Sequence, residues 1–285
     1  MFVNPRSREG QTSSEIVKKW LSERQFKILN PDFDPHKQEC NDLIYKYAGE
    51  LHAVIVGGGD GSVNYCLRSL IKTKVPLLLI PLGTANNLAR TLNIPAETIM
   101  ALDLLEKGEI RQIDVGLIND IPFMNVIGLG LSTQVNRLTR GEHKKIWGVF
   151  AFIWMAFKIG LRMKPFRARI VCDGEAKVVR TLQISICNGR NYGSGLVIHK
   201  DADLNDQTLH GLSTEIKSFL HLIGLIPSLM WGRYGANQRV TPLIGKEMFI
   251  ETRKPMHIDV DGDVQTKTPA KITILPQALN IFLPV

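Results

Sequence analysis

The stretch AVIVGGGDGSVN, residues 53–64, drives an apolar run straight into four glycines and an aspartate. An unalternating apolar run of that length reads as a buried parallel strand, and the residues after the glycines read as a helix start. The chain repeats the device once. VPLLLI, residues 75–80, is closed by PLGTANN and followed by a helical pattern from Leu88. The order strand, loop, helix, strand, loop, helix implies parallel strands joined by right-handed crossovers. Both loops then leave the carboxyl edge of one sheet, where ligands of α/β folds bind. They are expected to line one site, preceded by an amphipathic helix over residues 14–25.

After Ile110 the texture changes. RARIVCDGEAKVV, LQISICNG, KEMFIETRKPMHIDVDG and AKITILP are short β-like runs without helical spacing, so a second, mainly antiparallel domain is predicted there. Two apolar stretches interrupt it, IWGVFAFIWMAFKIGL from Ile146 and FLHLIGLIPSLMW from Phe219. Both fall short of the roughly 20 apolar residues a membrane-spanning helix needs, which leaves buried or interfacial helices.

The formal net charge of +8 over 285 residues attracts polyanions. Basic residues bracket the first apolar stretch: Arg137, Arg140, Lys144 and Lys145 before it, Lys158, Arg162, Lys164, Arg167 and Arg169 in or after it. That distribution suits peripheral contact with an anionic membrane surface better than a nucleic-acid groove, and no aromatic-basic stacking motif supports nucleic acid. Trp147 and Trp154 share a helix face with Phe150 and Phe157, a stripe that serves either as core or as a lipid-admitting face. The four cysteines, Cys40, Cys66, Cys172 and Cys187, form no close pair in sequence, which argues against a disulfide framework and a zinc site. With no apolar core of signal-peptide length behind MFVNPRSREG, a cytoplasmic protein is expected.

Gly57, Gly58, Gly59 and Gly61 let backbone amides face a ligand, and the helix beginning near Ser62 adds the positive end of its dipole. The loop is neither a Walker loop nor the dinucleotide fingerprint, since no Gly-Lys-Ser/Thr follows and the glycine spacing differs. A carboxylate inside a phosphate cradle needs its own reason. Asp60 either caps a helix, binds a sugar hydroxyl or an amide, or acts through Mg2+. In the second loop Gly83, Thr84, Asn86 and Asn87 make either an ordinary capped turn or a second wall of a nucleotide site.

GGGDGSVN with PLGTANNLAR resembles the diacylglycerol kinase catalytic family, bacterial lipid kinases related to sphingosine kinases and NAD kinases. Further segments in the same order are similar to that family: VNPRS at residues 3–7, IDVG at 113–116, NGRNYGSG at 188–195, DADLNDQTL at 201–209 and DVDGD at 259–263. The resemblance implies two lobes. The first, residues 1–116 with 276–285 returning to it, would be a Rossmann-like α/β nucleotide-binding domain; the second, residues 117–275, would be a β-sandwich holding the lipid substrate.

It also implies roles. Asn4, Gly57, Gly58, Gly59, Asp60, Gly61, Gly83, Thr84 and Asn87 would hold ATP; Asp261 would be the general base, and Asp114 with Asp60 would hold Mg2+ against the phosphates. Asp203, Asn205, Asp206 and Leu209 correspond to a structural Mg2+ loop. There the chain departs from the family pattern, with Asn205 where aspartate is common, Gln207 where glycine is usual and Lys200 where proline is usual; Asn87 likewise replaces an acid. The activity implied is transfer of the ATP γ-phosphate to the hydroxyl of a lipid such as diacylglycerol, as in phospholipid biosynthesis. Two alternatives stand beside it: an NAD kinase-like enzyme, and a nucleotide-sensing membrane-surface protein without turnover. From the residues alone, Asp261-Gly262 reads as a hairpin turn and Asp114 as a solvated strand-end acid. Asn125 and Asn188 have no assigned role, and His199 is a lone histidine near a motif.

Overall fold

The computed structural model describes residues 1–5, 7, 10–29, 39–138, 157–159, 161, 163–189, 191–192, 196–197, 202–215 and 240–285. Most of the stretch from Ile146 and all of that from Phe219 lie outside the described residues, as do Arg140, Lys144, Lys145, Arg162, His199, Lys200 and Asp201. The chain divides into two compact units, Met1–Val115 with Leu275–Val285, and Gly116–Ile274.

The first unit runs β1 (Phe2–Val3), α1 (Gly10–Glu23), α2 (Glu39–Tyr47), β2 (Val54–Gly58), α3 (Asp60–Thr73), β3 (Leu77–Pro81), α4 (Asn87–Thr91), α5 (Thr98–Leu102), α6 (Leu104–Lys107) and β4 (Glu109–Ile118), whose last residues enter the second unit. β2 and β3 are buried at every position, as strands covered on both faces must be. They pair in parallel from Val54↔Leu77 to Gly58↔Pro81, and β1 joins β2 in parallel through Phe2↔Val56. α1 buries Ser13, Val17, Trp20 and Leu21, and α3 buries Val63, Cys66, Leu67 and Leu70, each a stripe at three- and four-residue spacing. The sheet is completed by the chain's last residues, where Ile281 pairs in parallel with Leu77.

In the second unit follow β5 (Ile121–Phe123), β6 (Val126–Gly130), α7 (Leu131–Leu138), β7 (Phe166–Cys172), β8 (Glu175–Thr181), β9 (Gln183–Asn188), β10 (Asn191–Tyr192), β11 (Leu196–Val197), β12 (Leu209–Thr214), β13 (Val240–Gly245), β14 (Glu247–Thr252), β15 (His257–Val260), β16 (Asp263–Lys267) and β17 (Ala270–Leu283). One antiparallel sheet has the order β13-β12-β9-β6-β15-β16; β8, β7, β14 and the first residues of β17 form a second. Ile127, Ile184, Ile186 and Ile258 from the first sheet pack with Ile170, Met248, Ile250 and Ile272 from the second around a single apolar core. This is the two-domain architecture expected from the sequence: a parallel α/β sheet followed by an antiparallel β-sandwich.

The fold brings two of the cysteines near each other: Cys40 on α2 and Cys66 on α3 are both buried, although 25 residues lie between them in the chain. Cys40 Sγ donates to Tyr65 O at 3.2 Å. The neighbouring Cys66 draws the Cys40 thiol's pKa down, while Cys40 and lost hydration push the Cys66 thiol well up. Both are free thiols.

Candidate active site

Gly59, extended at φ −92° and ψ −174°, is the N-cap residue of α3, so the helix begins at Asp60 rather than near Ser62. As a glycine, it brings no side chain to cap that end. The Asp60 carboxylate reaches instead to the other loop, where Oδ2 accepts the Asn87 amide at 3.1 Å and Oδ1 the Leu88 amide at 3.0 Å. The charge inside the glycine loop therefore caps α4, a helix it is remote from in sequence, and welds the two loops together.

Their backbones also touch. A Cβ on Gly83 would lie 2.5 Å from Gly59 Cα, and one on Gly58 would lie 2.2 Å from Ser62 Oγ. Glycine is required at 83 by this close approach. Asn86, in the left-handed region at φ 47°, folds its side chain back on the same residue, accepting from Gly83 N and donating to Gly83 O, both at 2.9 Å. Asn4 supports the first loop from beneath: its amide donates to Gly57 O at 2.8 Å, while its own carbonyl accepts from Ser7 N and Oγ. The structure thus gathers Asn4, Gly57, Gly58, Gly59, Asp60, Gly83 and Asn87 in one loop pair, with Thr84 and Gly61 exposed beside it.

Asp114 is not the solvated strand-end acid that spacing alone allowed. It is 1% exposed, and its Oδ1 accepts the Gln277 amide at 2.8 Å. Gln277 stands at φ 49° on the returning strand, and Lys74 Nζ donates to its carbonyl at 3.2 Å and to that of Ala278 at 3.0 Å. Asp114 and Lys74 together seat the chain's end beside β3.

In the second unit Asp261 and Gly262 do form the hairpin turn of β15 and β16, with φ of 49° and 94°. The aspartate is nevertheless anchored. Its Oδ2 accepts from Met124 N at 2.8 Å, and its Oδ1 accepts from Asn125 N at 2.9 Å and Val126 N at 2.8 Å. A carboxylate offers about four lone-pair sites, so three amides leave room for at most one further donor. Asp259, buried two residues earlier, braces the turn by accepting Gly262 N at 3.0 Å and holds α7 by accepting Asn136 Nδ2 at 2.7 Å. Asn125 finds a place here: besides its amide, its carbonyl accepts Asn188 N at 3.0 Å. Met124, Val126, Asn136 and Gln277 escaped the sequence reading because most contribute backbone amides, which carry no residue signature.

The acidic loop is satisfied from within. Asp206 accepts from Asp203 N and Thr208 N, and His210 Nε2 lies 2.8 Å from its Oδ2; Asp203 accepts from Asn205 N. Gln207 takes φ 55°, a conformation glycine adopts without strain. Leu209 is buried as the first residue of β12. Among the described residues no three His, Cys, Asp or Glu side chains gather as metal ligands. Asp203 Oδ1 and both Asp206 oxygens each hold a protein hydrogen-bond partner, so the loop around Asp203, Asn205, Asp206 and Leu209 is ordered by its own bonds.

A parallel sheet whose two glycine loops are clamped together, followed by an antiparallel sandwich carrying an amide-anchored aspartate, is the architecture of two-domain kinases with an NAD kinase-like second domain. The comparisons narrow this further: the chain belongs to the diacylglycerol kinase catalytic domain family. Residues 1–118 match the diacylglycerol kinase catalytic domain, and residues 125–283 match the YegS C-terminal NAD kinase beta sandwich-like domain. The chain is 30% identical over 239 residues to a diacylglycerol kinase of Mycobacterium tuberculosis, covering 81% of this chain and 77% of that protein. It is 31% identical over 238 residues to an uncharacterized protein of Synechocystis sp., again over 81% of this chain but 55% of that longer protein. The crystal structure of a diacylglycerol kinase from Bacillus anthracis superposes with a TM-score of 0.78 at 24% identity, covering 99% of this chain and 95% of the other.

Proposed function

We propose that the protein is an ATP-dependent lipid kinase that moves the γ-phosphoryl group of ATP onto the hydroxyl of a lipid such as diacylglycerol. The observation that carries this reading is the loop clamp: Asp60 and the abutting glycines hold the N-terminus of α3, whose N-cap is a glycine, next to a side-chain-free backbone surface, which suits the close approach of phosphates. The kinase family and the diacylglycerol kinase of M. tuberculosis support the acceptor class.

Phosphoryl transfer asks a protein chiefly for positioning and charge compensation. ATP enters as its Mg2+ complex, the metal arriving with the substrate. Asp60 and Asp114 act first as positioning residues, Asp60 by fixing the second loop and Asp114 by seating the returning strand. The lipid hydroxyl oxygen forms a bond to the γ-phosphorus as the bond to the β-phosphate oxygen breaks. The hydroxyl proton passes to the Asp261 carboxylate, which the three amides hold in place, and ADP departs.

The test is incubation with labelled ATP and Mg2+ against micelles of several hydroxyl lipids and, separately, NAD, with Asp261→Asn alongside. Label in a lipid, lost in the variant, is the expected result. Label in NAD makes the protein an NAD kinase-like enzyme. ATP binding without labelling of any acceptor makes it a nucleotide sensor.

A further inference from the structure

The β15-β16 hairpin carries the Asp261 turn at one end, and along its strands, from Val264 near the turn to His257 and Lys267 at the far end, it borders a cavity of ≈ 650 Å³ lined by Arg137, His257, Val264, Gln265, Thr266 and Lys267. His257 and Lys267 face each other across the two strands, and Arg137 comes from the last turn of α7, held against β15 by the Asn136–Asp259 hydrogen bond.

Every polar side chain of this lining can donate. Arg137 and Lys267 bring fixed positive charges, His257 a ring N–H and Gln265 an amide; the Thr266 oxygen accepts from Asn119 Nδ2 at 3.2 Å, which leaves its hydroxyl hydrogen to give. Among the described residues no carboxylate lines the cavity, and none forms an ion pair with Arg137, His257 or Lys267. The like charges press on one another: the His257 imidazole is held below its ordinary proton affinity by lost hydration first, then by Arg137 and Lys267. Among the described residues nothing negative stands between these three cation-forming groups, so an oxyanion entering here relieves their repulsion and meets Arg137's planar fork.

We infer that this cavity binds a phosphate group, and that the phosphate belongs to the headgroup of an anionic phospholipid at the membrane surface. The cavity is several times larger than a phosphate ion and open, as a headgroup on its bilayer requires. In the sequence Arg137 is followed directly by Arg140, Lys144, Lys145 and the apolar run from Ile146, the order of charges and apolar residues that meets a bilayer interface. The site is separate from the proposed general base and does not depend on the kinase reading.

The experiment is sedimentation of the full-length protein with vesicles of phosphatidylcholine alone and of phosphatidylcholine mixed with phosphatidylglycerol. The double variant R137Q/K267Q is set against K177Q/R180Q, which removes the same charge from exposed positions of β8. Melting curves check that both variants remain folded. Binding to the phosphatidylglycerol vesicles is expected to fall about thirtyfold in R137Q/K267Q and less than about threefold in the control. Equal losses in the two variants overturn the site in favour of unspecific charge. An unchanged R137Q/K267Q overturns it outright. A third arm titrates glycerol 3-phosphate and inorganic phosphate in the absence of vesicles: saturation by either at equal strength, with no R137Q/K267Q effect on vesicle binding, overturns the lipid as the source of the phosphate.

Discussion

Asp261 and Asp173 occupy equivalent positions in two hairpins of the same unit. Each leads an Asp-Gly turn with both residues at positive φ, 49° and 94° for Asp261-Gly262, 46° and 89° for Asp173-Gly174. Each carboxylate accepts amides from a neighbouring segment, Asp261 those of residues 124–126 and Asp173 those of Lys246 and Glu247. The protein thus contains its own control for what such an anchor does without chemistry.

Asp261→Asn and Asp173→Asn each exchange an acceptor oxygen for an NH2 group that opposes a backbone N–H, and each is expected to lower stability by about 1–2 kcal/mol. Turnover separates them: a loss of about 100-fold or more in kcat for Asp261→Asn, and a change of less than about twofold for Asp173→Asn. Equal kinetic effects would reduce Asp261 to a turn anchor.

Asp60→Ala frees the amides of Asn87 and Leu88 and removes the bond between the loops. A melting-temperature drop corresponding to about 1 kcal/mol is expected from the lost cap, together with weaker ATP binding in calorimetry. Retention of full ATP affinity would mean that the second loop does not touch the nucleotide.

Gly83→Ala should be far more damaging than its single methyl group suggests, because the new Cβ meets Gly59 Cα at 2.5 Å, a backbone atom that cannot rotate away. Gly61→Ala serves as the counterpart: its Cβ meets nothing within 4 Å, and in a helical first turn it should leave stability unchanged or raise it by up to about 1 kcal/mol. Thermal unfolding of the two variants checks the contrast.

His257 sets a pH dependence. Its folded-state proton affinity lies below the unfolded value of 6.5, so the unfolded chain binds more protons and stability falls as pH drops through and below about 6.5. His257→Gln should flatten the fall in melting temperature between about pH 7 and pH 5, and phosphate should flatten it in the native protein by favouring the charged ring.

What the sequence made legible was local. An apolar run ending in glycines names its strand, its loop and the helix after it, because each signal lies within a few residues of its effect. The partner of Asp60 lies 27 residues away on a second loop, and that of Asp114 lies 163 residues away on the final strand. Neither pairing leaves a mark in spacing. The same holds for Cys40, whose thiol donates to Tyr65 O on α3, 25 residues away. At Asp206 the local reading saw only the acidic loop, and the contact with His210, four residues on in strand β12, left no mark in spacing.

The returning strand has a consequence for how the protein is made. Ile281 lies beside Leu77, and Asp114 and Lys74 wait for Gln277 and Ala278, so the first unit lacks a sheet neighbour and two of its anchors until residues 277–281 have left the ribosome. The second unit, Gly116–Ile274, is one continuous stretch of the chain that is synthesised in between. Although domains usually fold in order from the amino terminus, here the unit translated first gains its returning strand only after the whole of the other has been made.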